Sequence, residues 1–293
     1  MWEPQRFIDT LDIAISSAVG TFQKEALRAQ RRIARRLLDE LSALDRTKEG
    51  FIKNTVANIK LTNKIKKRLP GLMIDDSFRG AVDRLANEIG KIETELNTFL
   101  LEVFGSDFNP AKPIFKALQE NAILLTRNTL TEAGLGGMLT NEIEGIINAN
   151  LNGGVAWRDM VAQITGFIEG PGSDLGMVAR FAKTTIRDGI AQYSRNYLLT
   201  AAKGMKVEWF YYTGPKVEDS REFCLKRKGK YFTLEEIQSW ADLSWAGKNK
   251  MTNKSNIIVL LGGYGCIDQA IPVPQEFVPA ADIARAESRG FAA

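Results

Sequence analysis

Two apolar stripes in the N-terminal part of the sequence constrain the fold more than any other feature. Along residues 5–45, apolar positions from Ile8 to Leu44 recur in ten steps over 36 residues, an average of 3.6, which is the period of a straight helix with one buried face. From Phe78 to Val103, seven steps cover 25 residues, and a step close to 3.5 is typical of helices that pack lengthwise as in a coiled coil. The sequence therefore predicts an elongated helical N-terminal region with coiled-coil-like packing, in which the second stripe lies on the first. A homo-oligomer formed through these helices would bury the second stripe equally well.

Glycine, proline and capping residues divide the rest of the chain into shorter elements. They predict helices at 50–69 (ended by Pro70), 110–133, 141–150, 157–168 and 175–202 (ended by Gly204), a linker at 169–176, and Asp75 or Asp76 as the cap of the second striped helix. We predict a mainly α protein in three parts: a helical region at 1–139, an α+β domain with a short, mainly antiparallel sheet at 140–276, and a peripheral tail at 277–293.

The segment 206–274 differs in texture from everything before it. The run from Val207 to Pro215 is β-branched and aromatic and closes with Gly-Pro, which predicts a strand followed by a turn. Thr233 with Glu236 three residues later predicts a capping box and hence a helix start. The apolar run 257–261 predicts another strand, and the glycine-rich 262–265 after it lacks the Gly-Lys-Ser/Thr ending of a phosphate loop.

Composition excludes several kinds of chemistry. The chain has no histidine, so Ser-His-Asp and Cys-His catalysis and every zinc site that uses histidine are ruled out. No apolar run approaches the ~18 residues needed to span a bilayer, so no membrane partner is predicted. We predict no catalytic residue, no cofactor and no metal, and hence a protein that is not an enzyme.

The two cysteines, Cys224 and Cys266, belong to the segment 206–274. They should lie within about 10 Å of each other, because their motifs close one module. Three states stay open for them: two buried thiols, a disulfide, or a metal site completed by Asp268 or Asp219. Basic residues flank Cys224, but no general base is evident, and a cysteine nucleophile would need one or an electropositive site.

Positive charge is concentrated near the N-terminus. The formal net charge is +4, but residues 1–70 hold 15 Lys and Arg against 8 Asp and Glu, a net of +7, which leaves −3 for the remainder. Such a region fits an acidic or nucleic-acid partner, although solvated basic faces are common on helices. The candidate DNA or partner contacts are Arg28, Arg31, Arg32, Arg35, Arg36, Lys226, Arg227 and Lys228.

The order of motifs in the C-terminal half resembles that of a known family. A strand ending in Trp-x-x-Tyr is followed by Gly-Pro, Ser-Arg-x-x-Cys, Gly-Lys, a helix, and Gly-Gly-Tyr-x-Cys. The residues concerned are Trp209, Tyr212, Gly214, Pro215, Ser220, Arg221, Cys224, Gly229, Lys230, Gly262, Gly263, Tyr264 and Cys266. This order is similar to that of the phage Mu F-like minor head proteins, the viral head-morphogenesis family. The sequence departs from the family at 183–185, where Lys-Thr-Thr stands for Arg-Thr-Glu, and after Cys266, where Ile-Asp stands for a basic residue and a second ligand-type residue.

The resemblance implies a low-copy structural component of a tailed-phage virion. Such a protein associates with the portal protein or the major capsid protein, near the packaged DNA, and acts in head morphogenesis and in DNA packaging or ejection. Its location would be the capsid interior or portal region of the virion, and the host cytoplasm during assembly. Two other classes stay open: a thiol-dependent or nucleotide-handling enzyme domain built on the Cys224 module, and a helical DNA-binding or scaffolding protein.

Overall fold

The computed structural model describes residues 3–170, 176–215 and 220–291, and it is mainly α with one small sheet. Its helices are α1 Pro4–Leu41, α2 Val56–Met73, α3 Asp76–Phe104, α4 Pro113–Leu130, α5 Gly137–Gly153, α6 Trp157–Glu169, α7 Met177–Met205, α8 Glu222–Leu225, α9 Leu234–Ser239, α10 Ile257–Leu260 and α11 Ala280–Ser288. The strands are β1 Trp209–Thr213, β2 Lys230–Thr233 and β3 Gln269–Val273, in the antiparallel order β2-β1-β3. The predicted fold class is confirmed.

The chain forms two compact units, each assembled from separate segments. Unit 1 comprises Met1–Ala18, Asn87–Ile123 and Ile186–Ala293, and unit 2 comprises Val19–Ala86 and Leu124–Thr185. The domain boundaries predicted after residues 139 and 276 stay a prediction. Among the described residues, no helix combines the length and the apolar character that crossing a membrane requires.

Both apolar stripes are buried, and within each unit an aromatic pair joins α1 to α3. In unit 2 the rings of Phe22 and Phe78 lie 5.5 Å apart, and in unit 1 those of Phe7 and Phe99 lie 4.0 Å apart. All positions of the α3 stripe up to Phe99 are buried, and Val103 is half-buried. The prediction that the α3 stripe packs on the first helix is therefore confirmed, and this stripe is covered inside the chain.

Asp75 is the residue that caps α3. Its carboxylate accepts a hydrogen bond from the backbone N–H of Phe78 at 2.9 Å, the N-cap arrangement that its position predicted.

The predicted strand at 257–261 is wrong, because Ile257–Leu260 forms the short helix α10. An apolar run of this length has no period that separates a strand from a buried helical turn. The turn before it favours the helical conformation. The backbone N–H of Ile257 donates to the carbonyl of Asn253, the hydroxyl of Ser255 donates to Oδ1 of Asn253, and the backbone N–H of Asn253 donates to Oδ1 of Asn256. The third strand is β3, in which Pro272 lies opposite Phe210 at the edge of the sheet.

Two predicted helix ends are also wrong. Helix α2 continues through Pro70 to Met73, so the proline removes one hydrogen bond near the helix end rather than stopping it. Helix α7 continues through Gly204, and the left-handed position falls on Lys206, with a φ of 59°. The backbone N–H of Val207 then donates to the carbonyl of Ala202 at 2.9 Å and closes the helix.

The sheet of unit 1 is covered on both faces. Phe210, Tyr212 and Phe232 face the larger core, which also holds both cysteines. On the other face, Trp209 and Val273 pack with Val278 and Ala286. The tail was predicted to be peripheral, but up to residue 291 it supplies α11, and this helix packs on the sheet because its apolar side chains need a covering partner.

Candidate functional site

Cys224, Cys266 and Asp268, the cysteine cluster, meet in the core of unit 1. Their two sulfur atoms and a carboxylate oxygen all lie within 4.8 Å of one another. The three residues are 4%, 5% and 3% exposed, and both cysteines are free thiols. The expectation that the cysteines lie within about 10 Å of each other is confirmed. Asp219, the other oxygen donor considered, lies outside the described residues.

Two glycines let the backbone approach this cluster closely. A Cβ atom at Gly262 would stand 2.5 Å from Sγ of Cys224 and 3.0 Å from Sγ of Cys266. A Cβ atom at Gly214 would overlap the carboxylate of Asp268. Both positions therefore need glycine for lack of space.

Asp268 has a cation and a phenol as partners. Its Oδ1 lies 2.9 Å from Nζ of Lys228, and its Oδ2 accepts a hydrogen bond of 3.3 Å from the hydroxyl of Tyr212. Lys228 also donates to the carbonyl of Pro215 at 2.6 Å. The charge of this buried carboxylate is thus balanced by a side chain of the basic segment 226–230, whose sequence is KRKGK.

Arg195 of α7 is a site residue that the sequence reasoning missed. Its buried guanidinium donates to the backbone carbonyls of Asp268 at 2.8 Å, of Val259 at 2.6 Å and of Cys266. It fixes the chain before and after the second cysteine. The sequence did contain a signal for its burial: Arg195 comes four residues after Ala191 and three before Leu198, and so lies on the apolar face of the helix.

Asp188, about two turns earlier on α7, holds the same loop. Its Oδ2 accepts from the backbone N–H of Gly265 at 3.2 Å. Its Oδ1 is buried and has no hydrogen-bond partner among the described residues. Burial accordingly raises the pKa of Asp188, although that hydrogen bond and neighbouring arginines oppose the shift.

The two thiols differ in acidity. The hydrogen bond from Cys224 lowers the pKa of Cys266 to about 6, with burial opposing and the charge of Arg195 assisting. The same hydrogen bond, burial and the charge on Cys266 raise the pKa of Cys224. The surroundings therefore favour the thiolate at Cys266 over one at Cys224. Burial also raises the pKa of Tyr212, which stays a neutral donor.

The donor set fits a metal ion poorly. It offers two sulfurs and one carboxylate whose oxygens are already engaged by Lys228 and Tyr212. Lys228 and Arg195 also bring positive charge to the place where a cation would sit. The geometry instead fits two neighbouring free cysteines.

A cavity of about 160 Å³ adjoins the cluster and is lined by Ser220, Arg221, Cys224, Tyr264, Gly265, Cys266, Ile267 and Asp268. Tyr264 and Gly265 are exposed at its rim. Arg221 donates to the carbonyl of Tyr264 and so ties the two sides of the cavity together. Both cysteines thus line a cavity that has exposed residues at its rim.

The remaining residues of the resemblance build the surroundings of this cluster. Gly229 has a φ of 78° and donates its N–H to the carbonyl of Tyr212, and Lys230 lies opposite Tyr212 in the sheet. Gly263 has a φ of 95°, and Trp209 is buried on the opposite face of the sheet. Residues from 209–215, 221–230 and 262–266 thus converge on one packed region.

The basic segment 226–228 has internal partners. Lys228 binds Asp268, and the guanidinium of Arg227 lies 3.7 Å from the centre of the Phe223 ring and 4.4 Å from that of Trp240. Lys226 is exposed and lies 2.6 Å from Glu222. Of the three, Lys226 has the most freedom to meet a partner.

A second cavity, of about 280 Å³ and here called the basic cavity, is lined by five cations, one carboxylate and two aromatic rings: Lys226, Arg227, Lys230, Arg285, Arg289, Glu236, Phe232 and Trp240. As predicted, Thr233 caps α9: its hydroxyl oxygen accepts a hydrogen bond of 3.1 Å from the backbone N–H of Glu236. The side chain of Glu236, however, turns inward and binds Arg285 at 2.6 Å and Arg289 at 3.2 Å. The net charge of the lining is therefore +4, from five cations less one carboxylate.

The arginine group of α1, Arg28, Arg31, Arg32, Arg35 and Arg36, lies in unit 2 and is partly used. Arg32 binds Asp75 through two hydrogen bonds of 3.0 and 3.2 Å, and Arg36 reaches the same carboxylate at 3.4 Å. Arg28 lies 2.8 Å from Glu25. Arg31 and Arg35 are exposed and have no ion pair among the described residues.

Comparison with known proteins gave no match: no family model, no curated protein and no solved structure is significantly similar to this chain. The likeness to the Mu F-like minor head proteins therefore rests on the motif order alone.

Proposed function

We propose that this chain is a minor head protein of a tailed phage, a structural component that binds the portal or the inner capsid near the packaged DNA. One observation carries the proposal: Tyr212, Cys224, Gly262 and Cys266, which belong to separate motifs of the resemblance, meet at the cysteine cluster.

The polar groups of this region hold the fold together, which supports a structural role. Tyr212 and Lys228 bind Asp268, Arg195 binds three carbonyls, and Arg221 binds the Tyr264 carbonyl. Each donor is thereby engaged within unit 1. A module of this kind serves as a rigid body for assembly.

Exposed basic residues supply the surface for the proposed partner. Arg31 and Arg35 in unit 2, and Lys226 and Lys230 at the basic cavity in unit 1, are exposed. We infer that Arg31 and Arg35 contact a portal or capsid protein, because Arg32 and Arg36 beside them are held by Asp75 and leave few cations for phosphates. DNA binding by the isolated chain should be weak and without sequence preference.

The decisive test measures how much of the chain is incorporated into phage heads. In the phage that encodes it, the gene is removed and complemented with the wild-type chain, with the variant Arg31→Gln/Arg35→Gln, or with the variant Lys60→Gln/Lys64→Gln. The last variant removes the same charge from exposed positions of α2 in the same unit. We expect the wild-type chain and the α2 variant at low copy in purified heads, and a reduced amount of the α1 variant, as quantified by mass spectrometry against the major capsid protein.

A salt titration with duplex DNA separates the two kinds of partner. If Arg31 and Arg35 contact phosphates, their replacement should flatten the log–log salt dependence of binding by about two units, since each contact contributes roughly 0.9. We expect an unchanged slope together with the incorporation defect. A folded wild-type chain that is missing from heads, and whose removal leaves head assembly normal, would contradict the head-protein proposal.

One observation favours a second class, a thiol-dependent enzyme: the Cys266 thiolate and its cavity. The matched variants are Cys266→Ala and Cys224→Ala in particle complementation. An enzyme predicts stable heads that contain the variant chain but lack function. The structural role predicts lowered stability of the chain and full function wherever it is incorporated.

A further inference from the structure

We propose that Cys224 and Cys266 are an oxidation site, at which a small hydroperoxide converts the two thiols into an intrachain disulfide. The inference rests on the cysteine cluster and its cavity, and it holds whether or not the chain is a head protein.

Geometry makes the two sulfurs partners for each other. They lie within 4.8 Å, with no side chain between them, because the residue packed against both is Gly262. A disulfide needs the sulfurs at about 2 Å, so each has only a short distance to move. Cys224 lies in the short helix α8, and Cys266 lies in a loop whose backbone is held by Arg195 and Asp188, so we expect rotation of the two side chains to bring the sulfurs together.

Charge rather than access assigns the order of the reaction, because both cysteines line the cavity whose rim includes the exposed Tyr264 and Gly265. Arg195 holds the backbone carbonyls of Cys266 and Asp268, and its positive charge favours the thiolate at Cys266, while the carboxylate of Asp268 opposes it. Cys266 is therefore the residue that attacks peroxide, and Cys224 the residue that resolves the product.

The atoms balance in two steps. The Cys266 thiolate attacks the hydrogen-bearing oxygen of the hydroperoxide, and the O–O bond breaks. Cys266 becomes a sulfenic acid, and the alkoxide or hydroxide is the leaving group. The sulfur of Cys224 then attacks the sulfenic sulfur, the S–O bond breaks, and its hydroxide combines with the Cys224 proton to form water. The two thiols lose two electrons, which reduce the peroxide.

The bond would cross-link two elements of one core. Cys224 and Cys266 belong to the same cluster of buried residues as Phe210, Tyr212 and Trp240. Oxidation would tie α8 to the loop before β3.

The test uses the full-length chain, first reduced and then treated with hydrogen peroxide at equimolar concentration. We expect intramolecular loss of both thiols, a mass lower by two hydrogens, and one cross-linked peptide pair that contains both cysteines. The chain has seven methionines, but their oxidation adds an oxygen and is separated by mass. Intact thiols after treatment, or disulfide-linked dimers as the main product, would overturn the proposal, as would one zinc ion per chain in the protein as purified.

Two single variants test the assigned order. Cys224→Ser keeps the attacking residue, so a dimedone-type reagent should label sulfenic acid on Cys266. Cys266→Ser leaves only Cys224, whose labelling should be at least tenfold lower. Equal labelling of the two variants, measured on samples that both show native unfolding transitions, would contradict the roles given to the two cysteines.

Discussion

The cysteine cluster of unit 1 and the arginine group of unit 2 each hold one aspartate that is paired with a cation, but at different depths. The side chains of Asp268 and Lys228 are 4% and 11% exposed. Those of Asp75, Arg32 and Arg36 are 14%, 33% and 50% exposed. Breaking a buried pair leaves an uncompensated charge away from water, whereas surface pairs contribute little. Loss of the buried pair should therefore destabilise the protein more than loss of the partly exposed set.

Removing the buried carboxylate should have the largest effect. Asp268→Asn keeps the shape of the side chain but leaves the Lys228 ammonium without its counter-charge, so the free energy of unfolding should fall by about 3–5 kcal/mol. Urea unfolding at neutral pH measures this. A loss under about 1 kcal/mol would mean that Asp268 and Lys228 are as well solvated as the pair in unit 2.

Two leucines of α3 compare the cores of the two units. Leu85 lies in unit 2 and Leu96 in unit 1, and both are buried. Leu85→Ala and Leu96→Ala should each lower the free energy of unfolding by about 2–5 kcal/mol, through lost transfer energy and the cavity left behind. A change under about 0.5 kcal/mol at either position would show that the stripe is not packed there. Leu101→Ala, at an exposed position of the same helix, is the control.

Glycine-to-alanine changes should have opposite signs in the two units. Gly262→Ala would push a methyl group against both sulfurs and should cost about 1–3 kcal/mol. Gly145→Ala in α5 meets nothing within 4 Å and should stabilise the helix by about 0.4–1 kcal/mol. Thermal unfolding of both variants decides, and destabilisation of the same size at both positions would contradict the close approach at Gly262.

The smallest effect belongs to Asp75 and depends on pH. Burial would raise the pKa of Asp75, but hydrogen bonds from Arg32 and Phe78 and the charges of Arg32 and Arg36 together lower it. Because the folded pKa lies below the unfolded value of about 3.9, the stabilisation is complete above that value and is lost as the pH falls through the folded pKa.

Asp75→Asn keeps a capping side chain and removes the charge, so it should cost about 0.5–1 kcal/mol at pH 7. The difference from the wild type should shrink below about pH 3.9. Urea unfolding at a series of pH values measures this, and a difference that is constant with pH would exclude the ion pair as its cause.

Patterns that repeat along the sequence predicted the long helices and their caps well. They did not predict the conformation of individual short segments. The stripes of α1 and α3 and the caps at Asp75 and Thr233 are local signals, because period and capping act within a few residues. The helical state of Ile257–Leu260 and the left-handed Lys206 depend on hydrogen bonds that the apolar pattern does not contain.

The candidate site divides in the same way. The meeting of Cys224 and Cys266 followed from motifs that close one module, but the part played by Arg195 did not. Its three acceptors are backbone carbonyls from 64 to 73 residues away, and a carbonyl leaves no trace in the sequence. The pairing of Lys228 with Asp268 could not be predicted for a related reason. A lysine within KRKGK has the sequence surroundings of a solvated lysine, and its carboxylate partner lies far away in the sequence.

The segmented make-up of unit 1 has a consequence for the order in which the protein is synthesised. Tyr193 donates to Glu93 and Tyr197 to Asn97, each across 100 residues, and β1 pairs with β3 only after residue 269 has been made. Unit 1 therefore cannot close while the ribosome is still producing its last third, and its apolar faces wait for partners through most of translation. A fragment of residues 140–276 would lack Glu93 and Asn97, the partners of the two tyrosines, and should aggregate more than the whole chain does.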